Sequence, residues 1–185
     1  MKINSRPLVV AALSLLLAQP LAAQAQARAH QHGVATIDVA IDAGTLSLRL
    51  EAPLEALFGF ERAPRSDAER KAVQAVVARL NAADVLFRPD TAAGCTLERV
   101  ELTSAVLKIG HVAATAPRGA EAEHADLESE VEFSCKQIAK LAGIDIGLFE
   151  AFAFLQRIDV QIATPKGQFK RSLKRPQRRI ALLRE

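Results

Sequence analysis

Val34-Ala35-Thr36-Ile37-Asp38-Val39-Ala40-Ile41-Asp42-Ala43-Gly44-Thr45-Leu46-Ser47-Leu48-Arg49-Leu50-Glu51-Ala52-Pro53 reads as a β-hairpin. Ile37, Val39 and Ile41 alternate with Asp38, Ala40 and Asp42, and Leu46, Leu48 and Leu50 alternate with Ser47, Arg49 and Glu51. Successive strand side chains point to opposite faces, so each half carries one apolar face and one polar face. Asp42-Ala43-Gly44 supplies the turn, with glycine free to take positive φ. Pro53 cannot donate to a ladder and ends the second strand.

Working outward, the same alternation recurs in Asp126-Leu127-Glu128-Ser129-Glu130-Val131-Glu132-Phe133-Ser134-Cys135. Leu127, Val131, Phe133 and Cys135 face one way, and Asp126, Glu128, Glu130 and Glu132 face the other. Ile158, Val160 and Ile162 alternate again, and Pro165-Lys166-Gly167 turns the chain into a short strand over 168–173. Residues 97–107 are rich in β-formers. Ser66 reads as an N-cap with Glu69 completing a capping box, and Val73, Val76, Val77 and Leu80 recur at helical spacing, which predicts an amphipathic helix over 67–81. Residues 54–60 are apolar and short, a single helical turn. Residues 136–142 read as a short helix ended by Gly143, and Phe149, Phe152 and Phe154 as an aromatic piece of core. The sum is an α+β fold: an antiparallel sheet of about six strands with two or three helices packed on it.

The first residues have the physics of an export signal. Lys2 and Arg6 precede an apolar run over 8–18, and Ala23-Gln24-Ala25 and Ala25-Gln26-Ala27 offer small-x-small cleavage patterns. That run is short of the roughly 20 residues a membrane span needs, and later apolar runs are broken by charges. The expected organisation is a signal peptide over 1–27, a single α+β domain over 28–175 with a mobile loop at 109–123, and a basic tail over 176–185. Residues 26–164 carry 14 Lys/Arg against 20 Asp/Glu, and residues 165–185 carry 8 against 1. The overall basic balance is therefore local. A solvated tail or a contact with the envelope fits an exported chain better than nucleic acid does.

Cys95 and Cys135 are the two cysteines of the chain. An oxidising compartment favours pairing them, and both sit where strands are expected to end. A pair of metal thiolates is the competing reading, although no CxxC spacing is present.

The four histidines carry the chemistry. His30 and His32 lie in Ala29-His30-Gln31-His32-Gly33 just behind the signal, and His124 recurs in Glu123-His124-Ala125-Asp126. Residues i and i+2 of an extended chain project to one side, so His30 with His32, and His124 with Asp126, each form a chelating pair. Zinc takes neutral imidazole and carboxylate in a tetrahedron, and imidazole suits copper and nickel as well. His111 is a further candidate, with Glu61, Glu121, Glu123 and Glu128 as lesser carboxylates. Bland readings stand beside these. His30 and His32 also read as a solvated stub, His124 as a strand cap, His111 as a loop histidine, Glu128, Glu130 and Glu132 as a wet sheet face, and Glu61 beside Arg62 as an ion pair or loop anchor. No serine triad context, HExxH or phosphate loop supports an enzyme.

Several segments, in order, resemble one family. They are His32-Gly33-x-Ala35-x-x-x-Val39-Ala40-Ile41-Asp42, Leu50-Glu51-Ala52-Pro53, Gly59-Phe60-Glu61-Arg62-Ala63-Pro64, Ala93-Gly94-Cys95-Thr96-Leu97, His124-Ala125-Asp126, Leu148-Phe149-Glu150-Ala151-Phe152 and Arg157-Ile158-Asp159-Val160-Gln161. Together they are similar to the ZrgA-like family of small exported proteins. The resemblance implies a periplasmic zinc-binding protein that assists zinc acquisition, with a zinc importer or its binding protein as partner. Family members often carry a long His/Asp-rich insert before the His-x-Asp strand. Here it has shrunk to residues 110–123 with His111 inside it, which predicts low metal capacity. The alternative is an envelope interaction protein that uses its basic tail and sheet edge without metal.

Overall fold

A computed structural model describes residues 31–110 and 125–183. The signal segment over 1–27, His30, His111 and His124 lie outside the described residues, as does most of the loop expected at 109–123.

The hairpin forms as its alternation requires. Strand β1 (Val34–Asp42) pairs antiparallel with β2 (Thr45–Pro53), with Ile37 opposite Leu50 and Val39 opposite Leu48. Gly44 takes φ 94, and Ala43 also takes a positive φ of 43, so both central turn residues adopt the left-handed region that two-residue hairpin turns use. Next come helices α1 (Leu54–Phe58), α2 (Asp67–Asn81) and α3 (Ala83–Leu86), then β3 (Phe87–Pro89) and β4 (Cys95–Thr103). After residue 125 follow β5 (Asp126–Cys135), β6 (Gly143–Ile146), α4 (Leu148–Ala151), β7 (Arg157–Thr164), β8 (Gly167–Lys174) and β9 (Arg179–Ala181).

Six strands make one sheet in the order β4-β5-β2-β1-β7-β8, and β3-β6-β9 make a second, smaller one. The sheet is mainly antiparallel, but β1 and β7 run parallel. The chain crosses the smaller sheet and α4 before β7, so β7 enters from the end where β1 began. The inward face of the large sheet carries Ile37, Leu48, Leu50, Leu127, Val131 and Ile158, all buried. The small sheet adds Phe87, Ile144 and Ile180 to the same continuous core, which Val76 and Leu80 of α2 also join. The outward face is polar, with Asp38, Arg49, Glu51, Glu130 and Asp159 along it.

Three sequence expectations change. Residues 136–142 do not form a helix beyond a 3-10 turn at Ile138–Lys140, and Gly143 opens β6. The reason is that the N–H groups of Lys136 and Gln137 donate to the carbonyls of Gly94 and Ala93 (3.3 and 2.9 Å), which diverts the chain at the point where a helix would begin. Phe154 is half exposed, unlike the buried Phe149 and Phe152, and its ring covers Gly59. The basic end is built into the fold: Arg179–Ala181 is a strand, and Ile180 and Leu182 are buried. Arg179 forks between Asp90 (2.8 Å) and Asp145 (3.1 Å), and Arg178 pairs with Glu150.

Helix α2 begins as read, with a complete capping box between Ser66 and Glu69. The Glu69 carboxylate also receives both Arg62 guanidinium nitrogens (2.8 and 3.0 Å). The Arg62 bonds, then the backbone N–H groups of Arg65 and Ser66, lower its pKa to about 2. A carboxylate lowered on folding stabilises above its ordinary value and loses that contribution as pH falls through the folded value. Acid melting of the wild-type protein should therefore include a component between pH 4.5 and about 2 that Glu69→Gln removes. Parallel acid profiles for the two proteins would contradict the assignment.

Candidate metal centre

Three strand ends meet at one edge of the large sheet. Thr36 near the start of β1 lies opposite Glu51 of β2, and Pro53 at the end of β2 lies opposite Asp126 at the start of β5. Neighbouring strands sit about 4.8 Å apart, so the starts of β1 and β5, which flank β2, lie roughly 10 Å from each other. The two sequence segments that carry the expected ligands therefore lead into strands on either side of β2. The junction is tied on the β5 side, where the Leu54 N–H donates to the Ala125 carbonyl (2.7 Å) and the Ser104 hydroxyl donates to the Asp126 carbonyl (2.8 Å).

On the β1 side, residues 31–33 form a fixed turn. The Val34 N–H donates to the Gln31 carbonyl (3.1 Å). The Gly33 carbonyl accepts from the N–H groups of Gln156 (2.7 Å) and Arg157 (3.1 Å), and the Arg157 guanidinium donates to the Gln31 side chain (2.7 Å). Gly33 has φ 69, and a Cβ on it would fall 2.9 Å from the Phe154 carbonyl oxygen, so only glycine fits. The Gly33 N–H donates to the Glu55 carboxylate (3.1 Å). His32 is consequently held on a pinned backbone with its side chain 78% exposed, and its Nδ1 lies 3.5 Å from Glu55 and 3.8 Å from Glu61.

Asp126 lies on the outward face and lines a groove of about 740 Å³ together with Gln31, Thr36, Glu51, Arg157 and Asp159. Gln31, rather than His32, borders this groove. Charges on the rest of the face are matched both along and across strands. Arg49 meets Glu128 at 2.8 Å, Arg99 reaches Glu101 and Glu132, and Asp159 accepts from Ser172 and Arg157. The Glu128 charge, opposed by some burial, raises the Arg49 pKa, with Glu130 and Glu51 adding to it. Glu128 thus serves the solvated face that its strand pattern implied.

Of the five expected ligands, His32 and Asp126 are among the described residues, at the same sheet edge and in different settings. Among the described residues, no three His, Cys, Asp or Glu side chains are gathered so as to hold a metal by themselves. Glu61 does not pair with its neighbour Arg62. Glu69 takes that guanidinium, which also stacks over Phe60 at 5.1 Å, and Glu61 turns to His32. Glu55 went unread in the sequence. The signal available was its place as the first polar side chain after a strand-ending proline, one residue into a helix whose Leu54 is buried. Cys95 and Cys135 are joined in a disulfide at facing positions of β4 and β5, at the opposite end of β5 from Asp126.

No helix among the described residues is long and apolar enough to cross a membrane. No functionally curated protein matches the chain. The model of the family described as zinc uptake proteins matches residues 29–182, nearly everything from the first histidine pair to the last buried leucine. On that match the chain belongs to the ZrgA family of zinc uptake proteins.

Proposed function

We propose that the protein is an exported, periplasmic zinc-binding protein that captures the ion at the β1–β2–β5 edge and passes it toward a zinc importer or its binding protein. His30, His32, His124 and Asp126 are the proposed ligands, with His111 able to join or replace one of them. The observation that carries this reading is the pinned turn at Gln31–Gly33, which presents His32 to solvent at the edge where β5 begins with Asp126. A nitrogen and oxygen donor set fits zinc, which accepts both, and also admits other divalent ions. The disulfide is in keeping with an oxidising compartment. Zinc here is cargo, and a site built of few side chains suits a relay better than a store.

The test is calorimetric titration of the mature protein with zinc at neutral pH. The variant His30→Ala/His32→Ala/His124→Ala is expected to bind at least about tenfold more weakly, since each lost imidazole removes a direct ligand. Protons compete with the metal for imidazole, so wild-type affinity should also fall below about pH 6. Equal affinity of wild type and triple variant would remove the reading.

A further inference from the structure

We infer that Glu55 is a positioning residue for zinc capture. Its carboxylate, with that of Glu61, stands beside Nδ1 of His32 and takes up the Nδ1–H when the Nε2 lone pair binds the ion. The inference rests on the reading of His32 as a ligand and adds to it the atom that binds and the residue that selects it.

Both carboxylates approach the same ring nitrogen, Glu55 Oε2 at 3.5 Å and Glu61 Oε1 at 3.8 Å. An ionised carboxylate only accepts hydrogen bonds, so a nitrogen faced by two of them is the one that carries hydrogen. A neutral imidazole has one N–H and one lone pair, which leaves the lone pair on Nε2. Glu55 is well placed to enforce this because it is itself anchored. Its Oε2 accepts the Gly33 N–H at 3.1 Å, and its side chain is only 24% exposed. One oxygen thus holds the backbone beside His32 and stands 3.5 Å from its ring nitrogen. Glu61 is available for the second contact because Glu69 engages Arg62. A carboxylate behind a ligating histidine makes the imidazole a stronger donor and fixes its tautomer, and losing such a partner usually weakens metal binding about 10–100-fold.

Two measurements test this. In metal-free protein with 15N-labelled histidine, NMR should find hydrogen on Nδ1 of His32. With zinc added, that hydrogen should remain while the Nε2 resonance moves to its metal-bound position. Glu55→Gln keeps an acceptor for the Gly33 N–H but removes the charge. It should lower zinc affinity about tenfold and redistribute the tautomers while melting near the wild-type temperature. If Glu55→Gln fails to fold, Glu61→Gln is measured instead, with a smaller loss in the same direction. Hydrogen on Nε2 in the free protein, or zinc on Nδ1, overturns the inference. So does a Glu55→Gln variant that binds zinc like wild type while His32→Ala binds weakly. If His32→Ala itself binds like wild type, the ligand reading fails first and the role of Glu55 in zinc capture falls with it.

Discussion

Deleting residues 179–185 is expected to cost about 3–6 kcal/mol of stability. The sum follows from Ile180 and Leu182, both buried, at about 1.5–3 kcal/mol for each such side chain. Their loss also uncovers Ile144 and the β6 edge, because β9 is the outer strand of the small sheet. A small domain has only about 5–15 kcal/mol in hand, so the truncated protein should be partly unfolded near body temperature. The loss of Arg179 adds to this. Burial works against ionisation of Asp90, yet Arg179 and the Ala142 and Gly143 N–H groups hold its pKa below the ordinary value, so truncation leaves a half-buried carboxylate with fewer partners. Two point variants separate packing from charge. Ile180→Ala should cost about 2–5 kcal/mol, as large-to-small core changes do. Arg179→Ala, which breaks the partly exposed pairs with Asp90 and Asp145, should cost about 1 kcal/mol. Urea unfolding reads all three. A truncated protein with the wild-type midpoint would restore the idea of a solvated tail.

Removing the disulfide should have the second large effect. The bridge closes a loop with a sequence separation of 40. In the chain-entropy account that is worth about 4 kcal/mol, and small exported domains commonly lose 2–5 kcal/mol without such a bond. Cys95→Ala/Cys135→Ala should accordingly lower the urea midpoint, and reductant should shift the wild type but not the variant. Zinc affinity should stay as it was, because the bridge and the His32 turn lie at opposite ends of the large sheet. Zinc binding that disappears with the two cysteines would revive the thiolate reading.

Legibility followed the strength of local patterns. The Val34–Pro53 hairpin, the capping box at Ser66 and the alternation of β5 each declare themselves within a few residues. Strands of three and four residues do not, because Phe87–Pro89, Gly143–Ile146 and Arg179–Ala181 are too short for alternation to register. A count of about six strands therefore captured the large sheet and missed the small one. The parallel placement of β7 beside β1 was also hidden, since alternation says which face is wet and not which strand is adjacent. At the proposed metal site, the histidines stand out by rarity. Glu55 does not, because its role comes from a contact with Gly33 across 22 residues. Glu61 was noticed for the wrong neighbour: sequence adjacency to Arg62 counted for less than the capping carboxylate of Glu69.

The parallel β1–β7 pairing carries a consequence for the order of assembly. The contacts that fix the His32 turn include long-range ones, from Gln31 to Arg157 at a separation of 126, and Asp38 meets Gln161 across 123. Loop closure over such distances is entropically slow, and domains dominated by it fold in milliseconds to seconds rather than microseconds. An N-terminal fragment lacking residues 156 and 157 would keep only the Val34–Gln31 and Gly33–Glu55 bonds of the turn, because the Gly33 carbonyl and the Gln31 side chain would have lost their partners. The His32 turn is thus among the last features to reach its final form, and the shaped end of the β1–β2–β5 strands becomes a mark of a completely folded molecule.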